Sequence, residues 1–251
     1  MRRMRLRWLA SVALLGACKV TPQQVAPDLD TKHLMVEARA AYHRGEFNRA
    51  LLSFRRLQFE LSPGQAEMAE ARYYAAECAF QTGDPAGAVL AFQKVAEEFP
   101  TSEYAPLALL RGGDANRRQW HRADVDPTPG ETALATYQEL VGRYPDSDAA
   151  ARAQIHIREL NDWFAEKTYR TGVFYYRRKA YDSAIIYFKT IIATYPDTRW
   201  VPLALLRLVD AYRVIGYGEE LKETCANLRQ YYPKTDGLDR RCPAEASAGT
   251  P

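Results

Sequence analysis

Along most of this chain a small or apolar residue is followed four positions later by a bulky or soft one, and eight positions after that by proline. The pairs are Ala88 with Phe92, Ala133 with Tyr137, Ala184 with Phe188 and Leu221 with Cys225. Each leads into an aromatic-Pro-x-hydroxyl stretch: Phe99-Pro100-Thr101-Ser102, Tyr144-Pro145-Asp146-Ser147, Tyr195-Pro196-Asp197-Thr198 and Tyr232-Pro233-Lys234-Thr235. An earlier, degenerate copy holds Ala50 and Phe54, with its proline slipped by one to Pro63. The copies begin at intervals of 38, 45, 51 and 37 residues. A period of this size marks a repeat architecture. Proline cannot continue a helix, and a Ser or Thr two positions on is a ready N-cap, so each stretch is expected to close one helix and open the next.

The apolar spacing predicts helix pairs. The first runs from a Thr31 cap to about Arg44, turns at Gly45-Glu46 and returns from Phe47 to about Leu61, with Ala38, Ala41, Ala50, Phe54 and Leu57 on the inner faces. The second starts near Gln65, turns at Gly83-Asp84-Pro85 and carries Ala76, Ala79, Ala88, Phe92 and Val95. In the third, a long first helix from about Glu103 to Gln119 precedes an insertion holding Trp120-His121-Arg122 and the breakers Pro127, Pro129 and Gly130, so its second helix is expected from about Glu131 to Arg143. The fourth has no Gly-Pro break between about Asp148 and Lys179, which predicts one very long helix or two nearly collinear ones. The last runs from about Trp200 to Gly216 and from Glu219 to Tyr231.

Small residues, then Gly, then Ala-x-x-x-Phe and a closing Pro resemble the tetratricopeptide pattern. Its turn glycine appears as Gly45, Gly83 and Gly216, and Gly172 and Tyr175 stand at the pattern's Gly and Tyr positions in the fourth copy. The fold class is therefore all-α, a solenoid of about five helix pairs over residues 31–235. No copy keeps the pattern's Trp.

The two ends read differently. Arg2, Arg3, Arg5 and Arg7 precede a short apolar run, Trp8 to Leu15, far below the roughly 20 residues that span a bilayer. Leu15-Gly16-Ala17-Cys18 resembles the lipobox of bacterial lipoproteins, which makes residues 1–17 a signal peptide and Cys18 the lipidated residue; an ordinary small-residue cleavage site is the alternative. By the same resemblance Lys19, where an Asp would retain the protein in the inner membrane, directs it to the outer membrane. Residues 18–30, polar and interrupted by Pro22 and Pro27, read as a tether. The tail from Asp236 to Pro251 has little to bury and is expected to be disordered.

Charge narrows the function. The formal net charge is +3, but the four leader arginines belong to the 34 Lys and Arg set against 31 Asp and Glu. Without the leader the balance is slightly negative, and a nucleic-acid role loses the concentrated basic face it needs. The histidines, His33, His43, His121 and His156, have no metal-ligand spacing, and no phosphate loop or nucleophile elbow is present; neither a cofactor nor an enzymatic role is expected. Cys78 reads as a small core residue. Cys225 and Cys242 are able to pair in an oxidising periplasm and pin the tail; a buried thiol and a free tail thiol are the alternative.

The lipobox, the five irregular repeats, the insertion in the third and the recurring Tyr-Pro-x-Ser/Thr together resemble the BamD family of outer-membrane assembly lipoproteins, over about Thr31 to Pro233. The resemblance implies a non-catalytic subunit of the β-barrel assembly machinery. Its amino-terminal repeats would receive the carboxy-terminal signal of unfolded outer-membrane proteins, and its carboxy-terminal repeats would bind the periplasmic domain of the barrel insertase. Helical phase selects Arg39, Tyr42, Tyr73, Glu77 and Arg111 for the peptide groove. There tyrosines would pack on an aromatic terminal residue and an arginine would take its carboxylate. Arg207, Asp210 and Arg213 are selected for the insertase face. A pilotin for a pilus secretin and an adaptor of cell-wall hydrolases are the competing readings.

Overall fold

The computed structural model describes residues 31–243 apart from Pro63, His121, Ala123 and Asp124. The signal peptide, Cys18, the tether and tail residues 244–251 lie outside the described residues. Those described form α1 (Thr31–His43), α2 (Phe47–Glu60), α3 (Ala66–Gln81), α4 (Pro85–Glu98), α5 (Tyr104–Gln119), α6 (Thr128–Arg143), α7 (Asp148–Arg177), α8 (Tyr181–Thr194), α9 (Trp200–Ile215), α10 (Gly218–Tyr231) and the single turn α11 (Leu238–Arg241). Consecutive helices pack antiparallel as five hairpins. The odd-numbered helices also touch one another, α1 with α3, α3 with α5, α5 with α7 and α7 with α9, and so form the inner layer of the solenoid.

The repeated small and bulky residues build this stack. Ala50, Phe54 and Leu57 are fully buried, and so are their counterparts Ala88, Phe92 and Val95, Ala133, Tyr137 and Leu140, and Ala184, Phe188 and Ile191. An alanine where two helices cross lets the axes approach, and the ring one turn later fills the groove beside it. Gly172 takes this logic furthest: a Cβ there would stand 2.6 Å from the Phe188 ring.

Four of the five hairpin turns share one geometry. Gly45, Gly83 and Gly216 have φ of 77°, 92° and 82°, the left-handed conformation glycine adopts without strain. In the fourth hairpin Lys179 occupies that place with φ 62°. Its N–H donates to the Tyr176 carbonyl at 2.9 Å, as the Gly45 N–H does to that of Tyr42.

The long first helix of the fourth repeat, α7, is a single element of 30 residues, about 45 Å at 1.5 Å per residue. Its first half buries Ala149, Ala153, Leu160 and Phe164 with α5 and α6. Its second half buries Ala165 and packs Tyr169 and Val173 against α8 and α9.

Three expectations are corrected. First, α6 begins at Thr128, not near Glu131, because proline is tolerated in a helix's first turn. Asp126 Oδ1 accepts from the Thr128 N–H at 3.1 Å and from its hydroxyl at 2.8 Å, which fixes the start. Second, of the motif hydroxyls only Ser147 is an N-cap, accepting from the Ala150 N–H at 3.1 Å. Thr198 and Thr235 donate to the Tyr195 and Tyr232 carbonyls at 2.9 and 2.8 Å, as Ser147 does to that of Tyr144, but stand one and two residues before the next N-caps, Arg199 and Gly237, and do not cap. Third, the tail has structure through Pro243. Cys242 is bonded to Cys225 with Cα atoms 5.6 Å apart, Leu238 and Cys242 are buried, and α11 packs on α9.

Candidate functional site

The inner layer carries a ladder of charged and phenolic side chains. Arg39 on α1 holds Glu70 on α3 through both carboxylate oxygens. Two helical turns on and deeper, Glu77 is 3% exposed and accepts from the Arg111 guanidinium of α5. The hydroxyls of Tyr42 and Tyr73 approach the same carboxylate at 3.4 and 3.3 Å. Arg111 also bonds Asp114 at 2.7 Å, and Asp114 accepts from the Tyr137 hydroxyl at 2.7 Å. His156 on α7 lies 3.7 Å from Asp114 and 3.0 Å from Glu159, which pairs with Arg117 at 3.0 Å. The ladder thus runs unbroken from Tyr42 on α1 to Glu159 on α7.

Burial and charge set its protonation. Burial, reinforced by the Glu77 carboxylate, pushes the Tyr42 hydroxyl up to about 12. Tyr73 is raised further by the same causes. Burial alone would lower the pKa of Arg111; the hydrogen bonds and charge of Glu77 outweigh it and hold the guanidinium above its ordinary range.

Sequence phase therefore brings Tyr42, Tyr73, Glu77 and Arg111 together as expected, but as partners of one another. Arg39, expected to be open to a ligand carboxylate, already has one from Glu70. Glu77, expected to face the concavity, is buried beneath its three donors. Glu70 and Asp114 were missed, although Glu70 stands seven residues before Glu77, on the same stripe of α3.

Beside the ladder, between α3, α5 and α7, lies a cleft of about 680 Å³. Its floor is Trp120, 1% exposed and stacked on Phe164 with ring centres 4.6 Å apart. Trp163 stands at the rim, 37% exposed. Phe80 forms one wall, with the guanidinium carbons of Arg111 and Arg118 at 4.7 and 5.1 Å from its ring centre. Arg118 donates weakly to the Phe80 carbonyl at 3.5 Å and has no carboxylate partner among the described residues. The Arg117-Arg118 pair and the apolar Trp163 are legible in the sequence as separate features; the fold makes them one surface.

The carboxy-terminal trio sits at a seam. Arg207 donates from Nε to the Tyr169 hydroxyl at 3.1 Å and lies 3.7 Å from Asp210. Asp210 accepts from Arg241 of α11 at 3.0 Å, and Arg213 donates to the Arg241 carbonyl. Arg229 holds the carbonyls of Cys242 and Pro243 at 2.5 and 2.7 Å. The expected insertase face is thus partly closed by the tail.

Among the described residues no helix is long and apolar enough to cross a membrane. The chain is similar to the outer membrane protein assembly factor BamD of Vibrio cholerae, 27% identical over 234 residues that cover 89% of this chain and 96% of that protein. It is similar to the same factor of Caulobacter vibrioides, 37% identical over 108 residues, or 43% of this chain and 35% of that one. Among solved structures, the TPR2AB domain of yeast Sti1 aligns with a TM-score of 0.47 and 13% identity over 84% of this chain and 81% of that one. A family model described as "YfiO: Outer membrane lipoprotein" matches residues 27–228. The chain belongs to this family of outer-membrane lipoproteins, that of the BamD assembly factors.

Proposed function

We propose that this chain is a lipid-anchored, non-catalytic subunit of the outer-membrane β-barrel assembly machinery, held through Cys18 on the periplasmic face of the outer membrane. It receives the carboxy-terminal segment of unfolded outer-membrane proteins in the inner layer and docks the periplasmic domain of the barrel insertase with its last repeats. Relatives named as assembly factors over most of the chain's length support the role.

The observation that carries the peptide site is Arg118. In a layer where Arg39 and Arg111 are matched by Glu70 and Glu77, Arg118 has no carboxylate partner among the described residues, and it stands in a cleft rimmed by Trp163 and walled by Phe80. A chain end with an aromatic side chain and a free carboxylate suits that pairing: the ring enters between Phe80 and Trp163, and the carboxylate meets Arg118. Arg39, Tyr42, Tyr73, Glu77 and Arg111 then shape the groove and hold its helices in register. On the insertase side Arg207, Asp210 and Arg213 act together with the tail that covers them.

Binding of a synthetic peptide ending in phenylalanine, followed by fluorescence anisotropy, tests the site. Arg118→Glu should weaken binding roughly tenfold or more, the worth of one charged hydrogen bond, and amidating the peptide's carboxylate should do the same. Equal binding to the variant and to the parent would remove Arg118 from the site. For the other face, Arg213→Glu should reduce recovery of the insertase from solubilised membranes. A secretin or a peptidoglycan enzyme recovered in its place would move the chain to a pilotin or hydrolase-adaptor role.

A further inference from the structure

The outer face of α2 carries a stripe that the repeat does not explain. Arg49, Leu52, Arg56 and Phe59 follow one another at spacings of three, four and three residues, which places them on one line along the helix. All four are exposed: Leu52 at 69% and Phe59 at 91%. At the place of Phe59 the other repeats have Glu97, Gly142, Ala193 and Gln230, so helix packing makes no demand for an aromatic ring there. No other repeat alternates two arginines with two large apolar residues along this line.

We infer that this stripe docks on a phospholipid surface bearing anionic headgroups. Phenylalanine and leucine interleaved with arginine are what an interfacial helix presents: apolar side chains enter the acyl boundary and guanidinium groups meet phosphate. The arginines are available for exchange. Arg49 pairs with Glu46 at 3.3 Å and Arg56 with Glu60 at 2.6 Å, both exposed pairs between near neighbours that contribute little and yield readily to a headgroup. The length of chain before the fold supplies the occupant. Lys19 to Leu29, fully extended, spans on the order of 40 Å and enters the structure at Thr31, the start of the helix packed on α2. With Cys18 fixed in the membrane, that leash keeps the stripe at an effective concentration on the order of millimolar, enough to populate a weak contact. The inference rests on the lipid-anchor reading for its effect in the cell, but the affinity of the stripe for lipid is independent of it.

The test is flotation of the mature chain, from Cys18 onward and carrying Cys18→Ser so that no acyl chain contributes. Vesicles of phosphatidylethanolamine with phosphatidylglycerol should carry the chain upward, and phosphatidylcholine vesicles should carry much less. Arg49→Glu with Arg56→Glu should lower partitioning by about fivefold or more for each arginine. Leu52→Ser with Phe59→Ser should abolish flotation while circular dichroism keeps the helical spectrum and melting point. Absence of flotation by the parent chain, or equal flotation by the variants, overturns the inference. Light scattering that shows a dimer dissolved by the same substitutions assigns the stripe to a second copy and overturns it as well. Palmitate labelling at Cys18 in cells reports separately on the anchor.

Discussion

Arg111 on α5 grips Glu77 on α3 through both carboxylate oxygens at a depth where water barely reaches the acid. Removing Glu77 leaves Arg111 with Asp114 alone, and removing Arg111 leaves a buried carboxylate with two long phenol contacts. Glu77→Ala should lower unfolding free energy by about 3 kcal/mol in urea titrations, and Glu77→Leu combined with Arg111→Met should recover most of the loss. A loss below about 1 kcal/mol for the single variant would show that the pair exchanges freely with solvent.

The phenols of this layer forecast an alkaline limit. Tyr42 is raised from 10.0 to about 12, and Tyr73 and Tyr137 are raised further, burial being the first cause in each. A group whose folded pKa exceeds its unfolded one contributes stability that is complete below the unfolded value and is lost as pH rises through the folded one. The melting temperature should therefore hold up to about pH 10 and fall between about 10 and 12. Phenolate absorbance near 295 nm should show these tyrosines ionising only with unfolding. Tyr73→Phe should shift the fall to higher pH.

The bond between Cys225 and Cys242 closes a loop over a sequence separation of 17 residues. Reduction, or Cys225→Ser, should cost about 3 kcal/mol. The loss should be local: hydrogen exchange should quicken in α11 and in the carboxy-terminal part of α9, whose Asp210 and Arg213 lose their tail partners, and leave α1 to α6 unchanged.

Lys179 holds the left-handed turn that glycine holds in three other hairpins. Lys179→Gly should raise stability by about 1 kcal/mol, the strain of a side chain in that conformation exceeding the added freedom of the unfolded chain. A decrease would mean that the lysine makes a compensating contact.

Gly130 seats the indole of Trp120: a Cβ there would stand 2.0 Å from the ring, which Phe164 blocks from behind. Gly130→Ala should destabilise by about 1–3 kcal/mol and change tryptophan fluorescence, since the floor of the cleft must shift.

Much of the architecture was legible because the repeat writes its packing in residue size. Ala50, Ala88, Ala133 and Ala184, each with a ring one turn later, locate most helix boundaries within a residue or two. The start of α6 escaped because Pro129 and Gly130 read as breakers, whereas one occupies a tolerated first turn and the other accommodates an indole. Order in the tail was legible only as one of two alternatives, the bridge between Cys225 and Cys242; the burial of Leu238 and the carbonyls that Arg213 and Arg229 hold depend on contacts far apart in sequence. For the site, helical phase placed Arg39 and Arg111 on the inner layer but was blind to which charges neutralise each other. Glu70 is 31 residues from Arg39, and only the stacking of α1 on α3 brings them into contact. Arg118 became distinctive only once its neighbours were matched.

One helix belongs to both ends of the molecule. Because α7 buries its first half with the third hairpin and its second half with the last two, the Trp120 cleft and the tail-covered seam are mounted on the same rod. A load taken at the cleft cannot be absorbed by a joint midway. It swings the far end bodily, so the cleft and the seam keep a set distance, like jaws fixed to the beam of a caliper.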